Sequence, residues 1–125
     1  MAIKCIYGAP CSGKSTYVQE NATDKDLLFD YDHVRNSITK LELHNQGTEA
    51  QREMTNKLRY TFLANAKESE AENVFFITTK VSDSVRELLG EDAEYIEMEA
   101  TEEECLDRLE KDDSRKDKEY ILQGN

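Results

Sequence analysis

Gly8-Ala9-Pro10-Cys11-Ser12-Gly13-Lys14-Ser15 fits the pattern G-x-x-x-x-G-K-[ST]. Its flanks supply the setting this pattern needs. Ile3-Lys4-Cys5-Ile6-Tyr7 reads as a buried strand, and Lys14 to Glu20 reads as the first turns of a helix. Gly8 and Gly13 permit backbone conformations that a Cβ forbids, so successive N–H groups can point inward at phosphate oxygens. The start of the helix adds unpaired N–H donors and the positive end of its dipole. Lys14 contributes a point charge for the outer phosphates, and Ser15 an oxygen for Mg²⁺. The stretch Gly8, Ala9, Pro10, Cys11, Ser12, Gly13, Lys14, Ser15 and Thr16 is therefore expected to cradle the phosphates of ATP or GTP with Mg²⁺.

The rest of the chain must build a fold around that loop. At 125 residues it is expected to be a single domain, 1–125. Hydrophobic residues make up 38% and charged residues 34%, enough for one sheet with helices and a heavily solvated surface. The net charge of −11 disfavours broad electrostatic capture of duplex DNA or RNA, while leaving room for a nucleic-acid end in a small basic pocket. Cys5, Cys11 and Cys105 lack paired-ligand spacing and are odd in number, which suits reduced thiols in a cytoplasmic protein. No basic-plus-apolar leader and no apolar run near ~18 residues is present, so no membrane association is expected.

Elements alternate downstream. Asp26-Leu27-Leu28-Phe29-Asp30 reads as a second strand. Val34, Ile38 and Leu41 share one face of a helix expected from Asp32 to about Leu43, broken by His44-Asn45-Gln46-Gly47. Thr48-Glu49-Ala50-Gln51 is a capping box opening a long helix. Its buried stripe is expected to be Ala50, Met54, Leu58 and Phe62, widened by Leu63 and Ala66, with Glu68 to Glu72 as its solvated end. Val74-Phe75-Phe76-Ile77-Thr78 is apolar almost throughout and suits a parallel strand covered on both faces. Ser82 to Leu89 reads as a short helix closed by Gly90, and Glu94 to Met98 as a further strand, at an edge. Thr101 to Glu104 is a second capping box, with Cys105, Leu106 and Leu109 giving its helix an apolar side. Strands alternating with helices predict a three-layer α/β/α fold on a short parallel sheet of four to five strands. Ligand should collect at the carboxyl ends of those strands.

With Asp32-His33-Val34-Arg35 added to the loop motif, the chain resembles small P-loop kinases. More closely, it resembles the 5′-hydroxyl polynucleotide kinase domain of bacteriophages and related phage nucleotide-kinase-like proteins. The likeness spans most of residues 1–118 and is strongest over the first 40. It implies a P-loop NTPase fold, an Asp-x-x-Arg element at Asp32 and Arg35, and lid arginines at Arg108 and Arg115 in a lid region of about 108–118. With Lys14, these four make the catalytic set that the resemblance implies.

The chemistry of those residue types agrees. Asp32, just past a strand end beside the loop, can accept the proton of an attacking hydroxyl. Arg35, one helical turn on, can hold a phosphate of the acceptor. Two other roles are open: Asp32 can simply cap the helix that starts there, and Asp30 and Asp32 can act through water on Mg²⁺. Ser15 and Asp30 are the expected metal residues. Arg108 and Arg115 lie two helical turns apart and either close over the transferring group or belong to a salt-laced helix with Glu104, Asp112, Asp113 and Asp117. Cys11 is assigned no chemistry.

Two departures from the family pattern stand out. Ile77-Thr78-Thr79-Lys80 ends the third strand without the usual acidic residue. The chain also stops at Asn125, shortly after the lid, so the fold is expected to be truncated at the C-terminus, with an uncovered face suited to a homodimer or another partner. The resulting expectation is a phosphotransferase acting on a hydroxyl of a nucleoside, a nucleotide or a polynucleotide 5′ end, a single-stranded acceptor being favoured over duplex. Its alternatives are a non-catalytic nucleotide-binding regulator and a simple NTPase.

Overall fold

The computed structural model describes residues 1–42, 45–99 and 103. Within them the elements are β1 (Ala2–Gly8), α1 (Lys14–Asn21), β2 (Leu27–Phe29), α2 (Tyr31–Ser37), α3 (Glu49–Asn65), β3 (Asn73–Thr78), α4 (Asp83–Leu89) and β4 (Glu94–Met98). A short 3₁₀ turn, Ala66–Glu68, closes α3.

The four strands form one parallel sheet in the order β2-β3-β1-β4. Position follows composition. Val74, Phe75, Phe76 and Ile77 of β3 are all buried and the strand takes an interior place, whereas β4, with alternating Glu and apolar residues, stands at an edge. Alternation along the strands divides the interior in two. Cys5, Phe29, Val74 and Phe76 face α3 and α4, packing with Leu63, Ala66, Val85 and Leu89. Ile6, Phe75 and Ile77 face Val18 of α1. Helices thus cover both faces, a three-layer α/β fold with four strands among the described residues. Phe75 and Phe76 are almost wholly buried, and each such side chain contributes about 1.5–3 kcal/mol.

Local signals hold at several ends. Thr48 Oγ1 accepts from the Gln51 N–H at 3.2 Å while Gln51 Oε1 accepts from the Thr48 N–H at 2.8 Å, closing the capping box of α3. Ser82 caps α4, and Gly90 ends it at φ +88°.

Two expectations need correcting. The helix expected over Asp32–Leu43 is the shorter α2, capped by Asp30 and ending at Ser37. Ser37 Oγ and Thr39 Oγ1 donate to the carbonyls of Val34 and Arg35 at 2.7 and 2.8 Å. The Val34 carbonyl still accepts the Ile38 N–H, but the Thr39 hydroxyl takes the Arg35 carbonyl that a continuing helix needs, and the Thr39 N–H turns to the Asn36 carbonyl. The second correction is to the stripe of α3. Met54 and Leu58 are 52% and 38% exposed and Ala50 is exposed, whereas Thr55 and Leu63 are buried. Phe62, Leu63 and Ala66 face the core as expected, while over the first half of the helix Thr55 and Arg59 turn toward the sheet in place of Ala50, Met54 and Leu58. Thr55 is tolerated inside because its hydroxyl donates to the Gln51 carbonyl at 2.8 Å. The expected capping box at Thr101 lies outside the described residues.

Candidate functional site

The loop between β1 and α1 has the shape its sequence requires. Gly8 adopts φ +147°, and a Cβ there would fall on the carbonyl oxygen of Met98 and within 2.9 Å of Ser12 Oγ. Gly13, at φ 91° and ψ 21°, is the left-handed residue that caps α1. Ser12 is buried and holds the loop closed: both its backbone N–H and its hydroxyl donate to the Ala9 carbonyl, at 3.0 and 2.7 Å. Ala9 is exposed and Pro10 half-buried, while Ser15 and Thr16 lie exposed on the first turn of α1. Lys14 is 8% exposed, and its Nζ donates to the carbonyls of Gly8 and Ala9 at 2.6 and 2.8 Å. The ammonium is thus held against the loop's own carbonyls. Cys11 is buried and disulfide-bonded, contrary to the reading of three reduced thiols; spacing along a chain does not reveal which thiols the fold brings together. Cys5 is a free thiol, and burial pushes its pKa up to about 11, leaving it protonated and inert.

The parallel sheet brings the end of β2 alongside this loop. Ser15 Oγ donates to Asp30 Oδ2 at 3.2 Å. Asp30 Oδ1 accepts from the Asp32 N–H at 3.2 Å, so Asp30 both caps α2 and reaches the loop. Asp32 is in the first turn of α2 and does not cap it. A hydroxyl and a carboxylate side by side are hard oxygen donors of the kind Mg²⁺ takes, with water and phosphate completing its shell. Ser15 and Asp30 therefore fit that ion. The exposed His33 places Nε2 3.8 Å from Asp30 Oδ2.

Asp32 and Arg35 are brought together as well. Arg35 Nη2 donates to Asp32 Oδ1 at 3.0 Å; the arginine side chain is 5% exposed and the aspartate's 37%. The guanidinium also lies 5.5 Å from the centroid of the Tyr31 ring. Tyr31 donates its phenol to the Arg52 carbonyl at 3.3 Å, tying α2 to α3, and burial raises its pKa against the pull of Arg35 and Arg52.

At the end of β3 the missing acid has a structural counterpart: Thr78 Oγ1 donates to the Lys80 carbonyl at 3.0 Å, closing the turn. Arg108 and Arg115 lie outside the described residues. Arg59 is a residue that sequence reasoning missed. It is half-buried on α3, its guanidinium 5.2 Å from the Phe76 centroid and its pKa lowered by loss of water. No helix among the described residues is long and apolar enough to cross a membrane.

No protein-family model and no curated protein matches the chain. Among solved structures, a chain in "Structure of the Pnkp1/Rnl/Hen1 RNA repair complex" superposes with a TM-score of 0.75 at 20% identity. The match covers 98% of this chain and 42% of that one, so this chain spans less than half of its neighbour's length. At that identity the likeness is one of fold.

Proposed function

We propose that this chain binds ATP or GTP with Mg²⁺ and transfers the γ-phosphoryl group to a hydroxyl of a nucleoside, nucleotide or polynucleotide 5′ end. The observation that carries the reading is the pair of contacts across one strand end: Ser15 to Asp30 at 3.2 Å, and Asp32 to Arg35 at 3.0 Å. They bring Ser15, Asp30, Asp32 and Arg35 together at the end of β2 beside the loop, which supports a metal-binding oxygen pair, a base and a guanidinium acting in concert. The solved neighbour of like fold comes from an RNA repair complex, which fits a nucleic-acid acceptor.

In this reading the N–H groups of Gly13, Lys14 and Ser15, at the start of α1, line the triphosphate, and Lys14 Nζ turns from the Gly8 and Ala9 carbonyls to phosphate oxygens. Mg²⁺, held through Ser15 and Asp30, supplies charge neutralisation on the outer phosphates. Asp32 takes the proton of the acceptor hydroxyl as its oxygen bonds to the γ-phosphorus. The bond to the β–γ bridging oxygen breaks, and the nucleoside diphosphate leaves with that electron pair. Arg35 holds Asp32 in place and offers its remaining N–H donors to a phosphate of the acceptor. Arg108 and Arg115 are assigned to covering the transferring group.

The test is transfer of labelled γ-phosphate to nucleosides, nucleotides and 5′-hydroxyl oligonucleotides. Wild type should yield product with at least one acceptor class and Lys14→Ala none. Asp32→Asn should fall by about 10²–10⁴. Equal product from wild type and Asp32→Asn would remove Asp32 as the base.

A second reading has its own observation: the end of β3 carries Thr78 and Thr79 where a carboxylate would strengthen the metal shell. A nucleotide-binding regulator without transfer activity fits that. It predicts nucleotide binding that survives Asp32→Asn, and no phosphorylated product from wild type. A simple NTPase would hydrolyse ATP at a rate that no hydroxyl acceptor changes.

A further inference from the structure

Arg59 lies on the sheet-facing side of α3 and yet carries a charge. Its guanidinium is stacked 5.2 Å from the centre of the Phe76 ring, and lost solvation lowers its pKa, with Tyr31 and Cys5 acting in the opposite sense. Among the described residues it has no hydrogen-bond acceptor and no carboxylate within ion-pair distance. Among the described residues no buried side-chain nitrogen or oxygen lacks a partner, so the N–H groups of Arg59 reach solvent. A partly desolvated cation without an acid beside it is unusual in a chain of net charge −11. An anion brought to it is attracted more strongly than at a fully hydrated surface.

Its location shows which anion. Phe29 of β2 stands opposite Phe76 of β3 in the sheet, and Tyr31 follows Phe29 by two residues. The Arg35 guanidinium sits 5.5 Å from the centre of the Tyr31 ring, and the Arg59 charge acts on the ionisation of its phenol. The hydrogen bond from the phenol to the Arg52 carbonyl keeps the ring there. Tyr31 thus links Asp32 and Arg35 on α2 to the stretch of α3 that carries Arg59.

We infer that Arg59 holds a second phosphate of the acceptor, the one beyond the phosphate that Arg35 takes. The acceptor is then a single-stranded nucleic-acid 5′ end of at least two nucleotides. This rests on the reading under Proposed function and names the residue that makes the site count phosphates. A guanidinium can offer two parallel N–H donors to the two non-bridging oxygens of a phosphodiester. Stacking on Phe76 fixes its orientation in advance, so little freedom is lost on binding.

The experiment measures binding of 5′-hydroxyl RNA and DNA in the presence of Mg-ADP. Ligands are a nucleoside 3′-monophosphate, a dinucleotide 3′-phosphate and a hexanucleotide, read by fluorescence anisotropy and competition. In wild type the dinucleotide should bind about tenfold tighter than the mononucleotide. Arg59→Gln should collapse that ratio toward one and reduce the slope of log K against log salt for the hexanucleotide by about 0.7, one single-strand phosphate. Arg59→Lys should keep the slope while losing part of the ratio. Thermal melts accompany each variant, since Arg59 also covers Phe76.

An unchanged ratio and slope in a folded Arg59→Gln overturns the inference. So does an equal loss for mononucleotide and dinucleotide, which would make Arg59 a packing residue, and so does a wild type that binds no oligonucleotide. Length-dependent binding through Arg59 without any phosphoryl transfer would support the inference while refuting the proposed activity. Better binding of RNA or of DNA identifies the sugar.

Discussion

Gly8→Ala probes the loop through two separable costs. At φ +147° an alanine enters a backbone region that side chains rarely adopt, at about 1–3 kcal/mol. Its Cβ also meets the Met98 carbonyl oxygen and Ser12 Oγ. Met98 cannot retreat without disturbing its pairing with Gly8 in the β1–β4 ladder, and Ser12 is tied to the Ala9 carbonyl. Overpacking of this kind adds about 1–3 kcal/mol. A domain of this size loses about 3–6 °C of Tm per kcal/mol, so Gly8→Ala should melt at least ~6 °C below wild type. Gly90→Ala is the control. It too has positive φ, at +88°, but its added Cβ meets only the flexible end of Lys67, leaving the backbone cost alone. Mg-ATP at a hundredfold excess over Kd stabilises the folded state by about 2.7 kcal/mol. Differential scanning fluorimetry should show that upshift in wild type and Gly90→Ala, and its near-complete loss in Gly8→Ala. A Gly8→Ala protein that melts with wild type and keeps the full upshift would refute the argument that the glycine shapes an anion cradle.

Two further perturbations separate charge from packing. Asp30→Asn keeps the α2 cap, since asparagine caps as well as aspartate, but removes the charge beside Ser15. It should melt near wild type and need on the order of tenfold more Mg²⁺ for half-maximal nucleotide binding by calorimetry; an unaltered Mg²⁺ requirement would take Asp30 out of the metal site. Asp26 accepts from the Thr23 N–H at 2.8 Å and from Asn73 Nδ2 at 3.1 Å. The Thr23 hydrogen bond, chief among these, holds its pKa below the ordinary 3.8 despite some loss of water. The folded pKa being the lower one, Asp26 stabilises the fold above 3.8, and this is lost as pH falls through the folded value. Tm measured from about pH 5 downward should fall more steeply in wild type than in Asp26→Asn; parallel curves would show that the carboxylate contributes nothing.

Much of the site could be read in advance because it is local. Gly8, Gly13, Lys14 and Ser15 act within one loop, and the Thr48–Gln51 box within one turn. The unbroken apolar run of β3 likewise announces its interior place. What escaped were polar groups that the fold satisfies out of view. Hydropathy counts placed Met54 and Leu58 inward because they could not see the Thr55 hydroxyl bonded to its own helix, or the Arg59 guanidinium lying on an aromatic ring. The same blind spot hid the half-buried place of Arg59, since an arginine between apolar neighbours looks like surface.

The amino-acid order alone determined the glycine-bounded loop between β1 and α1 and the succession of strands and helices, because steric limits on φ and hydrogen bonds over three or four residues do not wait for distant partners. Tertiary structure alone decided that Asp30, rather than Asp32, caps α2 and meets Ser15 across fifteen positions, and which side of α3 faces β3. Those outcomes depend on strand order and on how side chains share a buried row, and neither is a property of any single segment.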